Sequence, residues 1–586
     1  MEFTSGKMIY GIKLLTEYIN TSAECAKKLK GGLKMKKAKK FVSLALSAAM
    51  VLSLATTTVS AEEGASESYD LSVCLASEPQ TIDPALNSAI DGAIMVQHMF
   101  EGLVKWTDDG EGNAVTAPGQ AESWEKVAND DGTVTYTFTL RDGIKWSDGQ
   151  DVTAGDFEYS WKRLANPETA ADYCYMIDMV KGYAEVADGS ADPDTLAVKA
   201  LDDKTLEVVL TYDCPYFEEI VAFPATFPVR QDKVEGNDNW TFDVESYVGN
   251  GPYKMKEWSH NAYILTEKNE YYYDYENLGP DTIKYTLLDD ENAMLAGYKS
   301  GELDFIENLP MDEIPNYLAS GELNIADYMG IYYVCFNTED EIFSDPRIRK
   351  AFSLVIDRNY IVENVSQTGE VPADGFVPAG VSDAEGPSGD DFRTTGGSYY
   401  SVSEEDYEKN CEEARALLAE AGYPDGEGFP TVEYLYNTAD NHKKIGEALQ
   451  NMWQEQLGVT VTLNNQDWNV FLENRKQGNY QIARNGWIAD YNDPCSFLDM
   501  WYTGGGNNDA QYSNPDYDAQ IDAAKATSDP AERMTAFHAA EDILIGQDSV
   551  LAPIYFYTQP YMLKEDIQGM YYTPLGFFFF GYTTRG

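Results

Sequence analysis

Between positions 431 and 484 the hydrophobic pattern switches repeatedly between a period of two and a period of 3.6 residues. Residues 431–436 alternate as a strand does, Ile445, Leu449, Met452, Trp453 and Leu457 fall on one helical face, and V-T-V-T-L follows Gly458 as a second strand. Trp468, Phe471, Leu472 and Arg475 then recur at i, i+3, i+4 and i+7, with Gly478 to close that helix. Tyr480, Ile482 and Arg484 alternate with Gln481 and Ala483 until Asn485-Gly486, a turn signal expected to end the strand. Strands that alternate with helices pair in parallel, because a crossover must carry the chain back to the same edge. The fold class expected is therefore α/β. The opening stretch at 72–84 should continue the same sheet, and the apolar A-P-I-Y-F-Y at 552–557 should return to the first part of the chain.

Chemistry gathers at 466–494. Ligand groups sit at strand ends in α/β sheets, and here helix and strand ends carry Trp468, Arg475, Arg484 and Trp487, followed by Asp490 in the loop sequence A-D-Y-N-D-P. A cleft with a carboxylate, cations and flat aromatic walls suits a zwitterion with a variable middle, and a short peptide fits that description. Each residue alone has a plainer reading. Trp and Arg usually pack or snorkel, an Asp in a loop often bonds its own backbone, and a lone His needs no ligand. The joint spacing from His442 to Asp490 is the specific signal. It closely resembles family 5 of the bacterial extracellular solute-binding proteins, which includes the oligopeptide-binding components of ABC importers. The resemblance implies an α/β fold of periplasmic-binding-protein type (class II-like), with three lobes and a hinged ligand cleft. It also implies that Asp490 pairs with a peptide's α-amino group, that Trp487 lines a side-chain pocket, and that Trp468 stands beside the peptide. Arg475 and Arg484 would serve the carboxyl end, and Y-N-T-A-D-N-H-K-K places His442 at that end for longer peptides.

The resemblance covers nearly all of 70–580. It is carried by E-P-Q-T-I-D-P at 78–84, F-E-G-L at 100–103, A-P-G-Q-A-E-S-W at 117–124, R-D-G-I-K-W-S-D-G-Q-D-V-T at 141–153, N-G-P-Y at 250–253 and D-P-R-I-R-K-A-F at 345–352. These stretches identify a fold without naming a ligand. Read as residues, Val134, Tyr136, Phe138 and Leu140 make the buried side of a strand. Thr153 with Asp156 starts a helix over 156–164, and Ile348, Ala351, Phe352, Val355 and Ile356 make a helical core stripe. The Gly-, Ser- and Asp-rich 382–401 reads as a surface loop. Three positions depart from the family pattern: Gly92, with Asp91 beside it, stands where an acidic residue touches the peptide, Ser366 where a lysine serves the shortest peptides, and Ile488 where enteric members have a cysteine.

A chain of 586 residues is too long for one core. The expected division is lobe I at 62–104, 231–329 and 557–586, lobe II at 105–230, and lobe III at 330–556. Residues 1–34 read as a basic extension outside the fold. At 35–61 a positive start, an apolar run and V-S-A read as a signal peptide cut after Ala61. The apolar run is shorter than the roughly 20 residues a membrane span needs, and with no cysteine directly after it a lipid anchor is not expected. The protein is thus expected outside the cytoplasm, periplasmic or associated with the cell surface. The net charge is −56, and residues 1–61 hold ten Lys against three Glu, so the remainder is more acidic still. Such a surface repels nucleic acid and anionic lipid. Six cysteines follow Ala61, of which Cys174 and Cys214 are a conceivable pair. No cofactor or metal is expected. The partners expected are short peptides and the membrane subunits of an ABC permease, with the ATPase on separate chains because no G-x-x-x-x-G-K-[ST] occurs, and the protein should act as a monomer. Another solute in the same fold, such as a dipeptide, a metal complex or a sugar, stays open through Ser366 and Gly92. A secreted hydrolase is disfavoured: there is no H-E-x-x-H or G-x-S-x-G, and the four histidines lie far apart.

Overall fold

The computed structural model describes residues 68–74, 77–108, 114–386 and 389–586. The extension and signal-peptide readings at 1–61 lie outside the described residues. Among the described residues no helix is long and apolar enough to cross a membrane.

The site is built on an 11-stranded sheet whose two halves are linked by its two longest strands, Asn324–Phe336 and Leu551–Leu563. On one side Val461–Gln466, Val432–Asn437 and Ile482–Ile488 run parallel to one another, as the alternating pattern requires. On the other, Asp70–Cys74 pairs in parallel with Thr282–Thr286 and with Phe305–Ile306. The opening strand thus joins the same sheet, but the sheet is not uniformly parallel. Both long strands run antiparallel to their neighbours. Leu551–Leu563 reaches the Phe305–Ile306 strand of the other half through Met562 and Leu563, whereas its 552–556 part pairs with Ile331–Val334 and with Val371–Pro372.

The long strands pair with each other over 324–327 and again over 331–335, with the register shifting between Asp327 and Ile331. A break of that kind bends a strand and loosens its ladder. Four antiparallel strands form a separate sheet in the order Ala121–Ala128, Val134–Leu140, Thr205–Leu210, Val198–Asp202. Val134, Tyr136, Phe138 and Leu140 face its core, as their alternation predicts. The helix against it, Ala154–Ala165, buries Phe157, Trp161 and Leu164, and Asp156 accepts from the Thr153 backbone N–H at 2.8 Å.

Three expectations are corrected. Asn485-Gly486 does not end a strand: Ile482–Ile488 runs on through Trp487, with Gly486 opposite Tyr332 and Trp487 opposite Ile331. The glycine is there because the Tyr557 hydroxyl packs on the backbone, 2.5 Å from where a Cβ would stand. The 382–401 segment is not wholly surface loop. It contains the short helix Phe392–Gly396, whose Phe392 and Arg393 are buried and whose guanidinium forms a two-bond ion pair with Glu541 at 2.7 and 3.0 Å. Cys174 and Cys214 are not joined by a disulfide.

Candidate functional site

A cavity of about 460 Å³ opens where the C-terminal ends of the parallel strands, the breaks in the long strands and the loops of the other half converge. The six residues singled out in the sequence all line it: Asp490, Trp487, Arg484, Arg475, Trp468 and His442. Their local structure follows from the pattern that drew attention to them. Helix Trp468–Lys476 turns Trp468, Leu472 and Arg475 to the cavity and seats Phe471 in the core beneath. Strand Ile482–Ile488 brings in Arg484 and Trp487. Helix Asp440–Leu457 presents its first turn, including His442; its N-cap residue Ala439 has no capping side chain, and the Glu291 carboxyl accepts from the Asn441 backbone N–H instead.

Asp490 is 5% exposed. Its Oδ1 accepts from the Tyr173 hydroxyl at 3.1 Å, and its backbone N–H donates to Ser496 Oγ at 2.8 Å. Oδ2 is buried without a hydrogen-bond partner. Burial pushes the Asp490 carboxyl well above the ordinary range, against the opposing bonds from Tyr173 and Ser496. The indole of Trp487 is held in place by donating to the Ser496 carbonyl at 2.7 Å. A carboxyl fixed this firmly, with one oxygen left over, has the geometry to accept from an ammonium group.

The cations differ from one another. Arg484 is 7% exposed, and its Nε donates to Asn437 Oδ1 at 2.7 Å. Its guanidinium lies 5.5 and 5.2 Å from the rings of Trp468 and Phe471. No carboxylate of the described residues is in salt-bridge range of it, and burial lowers its pKa. Arg475, by contrast, is paired: its Nε is 2.8 Å from Asp509 Oδ2, which also accepts from Asn485 Nδ2 at 3.0 Å. His442 Nδ1 is 3.3 Å from the Tyr332 hydroxyl, and burial, with Arg484 adding to it, holds its pKa well below the usual value, so the ring is neutral. The structure therefore brings the six together but leaves one cation, Arg484, free of a carboxylate.

Other lining groups were not singled out. Tyr173 comes from far along the chain, and nothing in its local sequence marks it. Asp91 was passed over for its neighbour Gly92. A Cβ at Gly92 would lie 2.0 Å from Asn87 Oδ1, so no side chain fits there, and it is Asp91 that lines the cavity. Asp91 accepts from Trp468, and burial pushes its pKa up to about 6. Glu307 lines the same wall, pushed up to about 7 by burial and then by Asp91. Ser366 also lines the cavity, so the position where a lysine was missing does face the ligand space.

A family model described as bacterial extracellular solute-binding proteins, family 5 Middle, matches residues 116–509. The oligopeptide-binding protein OppA of Bacillus subtilis (strain 168) is 35% identical over 507 residues, 85% of this chain and 90% of that protein. Among solved structures, Haemophilus influenzae OppA in complex with RPPGFSPFR aligns with a TM-score of 0.82 at 31% identity, covering 89% of this chain and 99% of that one. The unliganded open form of the murein tripeptide-binding protein MppA aligns at 0.59, with 31% identity over 89% of this chain and 98% of that one. The arrangement described here is thus closer to that of the peptide-bound relative than to the open one. This chain belongs to the bacterial extracellular solute-binding proteins, family 5.

Proposed function

We propose that this chain is the extracytoplasmic solute-binding component of an ABC importer, which captures short peptides by their main chain and charged ends and delivers them to a membrane permease. The observation that carries this reading is a pair of unmatched charges in one cavity: Asp490 with a buried oxygen lacking a partner, and Arg484 with no carboxylate beside it. A buried charge without a partner costs several kcal/mol, and a peptide's ammonium and carboxylate satisfy both at once. Asp490 takes the α-amine, held to the correct rotamer by Tyr173. Arg484 takes the carboxylate of the shorter ligands, while Arg475 is already balanced by Asp509 and steadies the field around it. Between the ends, extended main chain pairs with polar groups of the cleft whatever its sequence, and aromatic walls with water tolerate varied side chains.

Transport needs only capture and release, so the chain acts as a binder and not as an enzyme. It works as a monomer after a signal peptide at 35–61 is removed, and the permease and ATPase are separate chains. Mass spectrometry of the ligand released on denaturing the purified protein tests the reading. A mixture of short peptides is the expected result, and a peptide incubated with the folded protein should be recovered intact. A single non-peptide solute, or cleavage of the peptide, would overturn it.

A further inference from the structure

The cavity holds a second carboxylate with the same signature as Asp490. Glu291, the first residue of helix Glu291–Ser300, is 6% exposed, lines the cavity, and has its Oε2 buried without a hydrogen-bond partner. The two carboxylates have no neighbour in common. Asp490 is set among Tyr173, Trp487 and Ser496, whereas Glu291 lies against Asp290 on its own helix and against Asp440, Asn441 and Lys444 at the start of the Asp440–Leu457 helix. The nearest cation is already engaged: Lys444 Nζ is 3.0 Å from Asp312 Oδ1. His442, on the same helix, is neutral, and Asp440 and Asp290 add negative charge. Burial followed by Asp440 pushes the Glu291 carboxyl up to about 7, against the opposing pull of Lys444 and the Asn441 N–H.

Of the other acids lining the cavity, Glu307 has only Asp91 beside it and no cation among the described residues, Asp91 accepts from Trp468, and four more have a cation or a donor. Asp509 has Arg475, and Asp172 has Lys476 at 2.5 Å. Glu370 accepts from the Thr368 backbone N–H at 2.9 Å, and Asp289 from Ser77 Oγ at 2.9 Å. A linear peptide has one α-amine, which the proposed reading assigns to Asp490, and one carboxylate, which it assigns to Arg484. Glu291 accepts from the Asn441 backbone N–H, and its Oε2 is then left without a partner. We infer that Glu291 forms a second cation site, which takes the ammonium or guanidinium of a basic side chain near the carboxyl end of the bound peptide. This inference rests on the peptide-binding reading above. Glu291 lies against the first turn of helix Asp440–Leu457, which carries His442, and His442 in turn feels the charge of Arg484. The side chain served is therefore assigned to the residue whose carboxylate Arg484 holds, so a tripeptide with lysine or arginine in third place is the fitting ligand.

The test is calorimetric titration of protein stripped of ligand by unfolding and refolding. The ligands are Ala-Ala-Ala, Ala-Ala-Lys, Ala-Ala-Glu and Ala-Ala-Lys with the ε-amine acetylated. Wild type is expected to bind Ala-Ala-Lys at least tenfold more tightly than the acetylated form and than Ala-Ala-Glu. Glu291→Gln, which keeps the shape and removes the charge, is expected to bind all four within about twofold. Equal affinity of wild type for the lysine and acetyl-lysine peptides overturns the inference, as does a lysine preference that persists in Glu291→Gln. The acetylation comparison needs wild type alone, so it decides the matter even where the variant does not fold. Should no peptide bind at all, the peptide-binding reading itself fails, which is a different result.

Discussion

Replacing Asp490 by Asn should have two effects of opposite sign. In the ligand-free closed form the carboxyl is buried with one oxygen unsatisfied, and its pKa is raised well above the ordinary range by that burial. Asn keeps the shape, and its amide oxygen can still accept the Tyr173 hydroxyl that now bonds Oδ1 at 3.1 Å. The cost of burying an acid disappears, so the thermal midpoint of the stripped protein should rise. Peptide binding should weaken, because a charge-assisted bond to the α-amine is lost. Such bonds contribute about 1.5–3 kcal/mol, and a central value of about 2 kcal/mol is roughly thirtyfold in Kd. The assay is a double cycle: wild type and Asp490→Asn, each titrated with a tripeptide and with its N-acetylated form. Acetylation removes the ammonium, so both substitutions should delete the same interaction, and the second should cost little once the first is made. Additive losses would show that the amine is held elsewhere. A lower midpoint in the stripped variant would refute the claim that the acid is an uncompensated burden.

The two arginines should separate by their pairing. Arg484→Gln should weaken tripeptide binding by roughly tenfold or more in titration, while Arg475→Gln, which mainly strands Asp509, should show first as a loss of thermal stability. Glu541 is fully buried and holds the Arg393 guanidinium as well as the backbone N–H groups of Phe376 and Val377 at 2.7 and 2.9 Å. Glu541→Gln should therefore cost about 3–5 kcal/mol in chemical unfolding, since it leaves an unpaired buried guanidinium. His98 is fully buried, with Nδ1–H donating to the Ile94 carbonyl at 2.8 Å and Nε2 accepting from the Phe580 backbone N–H at 3.0 Å. Burial lowers its pKa to about 4 from 6.5. The neutral ring is thus favoured by folding, its contribution is complete above pH 6.5 and is lost as pH falls toward 4, by at most about 3 kcal/mol. Urea midpoints measured across that range should fall in wild type and change less in His98→Gln.

The periodicities were legible where one face of an element is buried and the other is not. The 134–140 strand and the 440–457 and 468–476 helices come out of the sequence with little error, because core and solvent impose opposite chemistry on alternate residues. The pattern failed where a neighbour overrides it. Asn485-Gly486 looks like a turn, but the glycine serves the approach of Tyr557, whose position depends on a strand more than 60 residues downstream. Phe392 and Arg393 sit in a stretch whose composition reads as loop, and distant partners order it: Arg393 pairs with Glu541 and Phe392 stacks on His538. In the cavity, the cluster within 442–490 was readable because its members are close in sequence. Tyr173, Glu291 and Glu307 were not, since they reach the cavity from segments brought together by the sheet. Nor could the sequence say that Arg475 is spoken for and Arg484 is not, because that depends on where Asp509 falls.

The same unmatched groups bear on when the cleft closes. Contacts between the 178–219 and 491–525 segments are present in the form described: Tyr216 stacks on Tyr491 with ring centroids 4.3 Å apart, Glu219 accepts from the Asn492 backbone N–H at 2.9 Å, and Lys525 lies between Asp178 and Asp499 at 2.5 and 2.6 Å. These favour closure at any time. Opposing them, closure on an empty cavity takes Asp490, Arg484 and Glu291 out of water without counter-ions, a cost of several kcal/mol for an ion that the two acids reduce by taking up protons. These pairs also give up their own hydration, so their net gain is modest. On the proposed assignments the balance is set by the ligand: a peptide that supplies an ammonium, a carboxylate and a cationic side chain would cancel all three penalties, and one that lacks a charge would leave a penalty standing. Affinity and closure are then the same quantity seen twice, since a ligand shifts the equilibrium only by its difference in affinity for the two forms. Selection by charge, rather than by side-chain shape, follows from that identity, and the break between Asp327 and Ile331 in the long strands gives the sheet a place to bend.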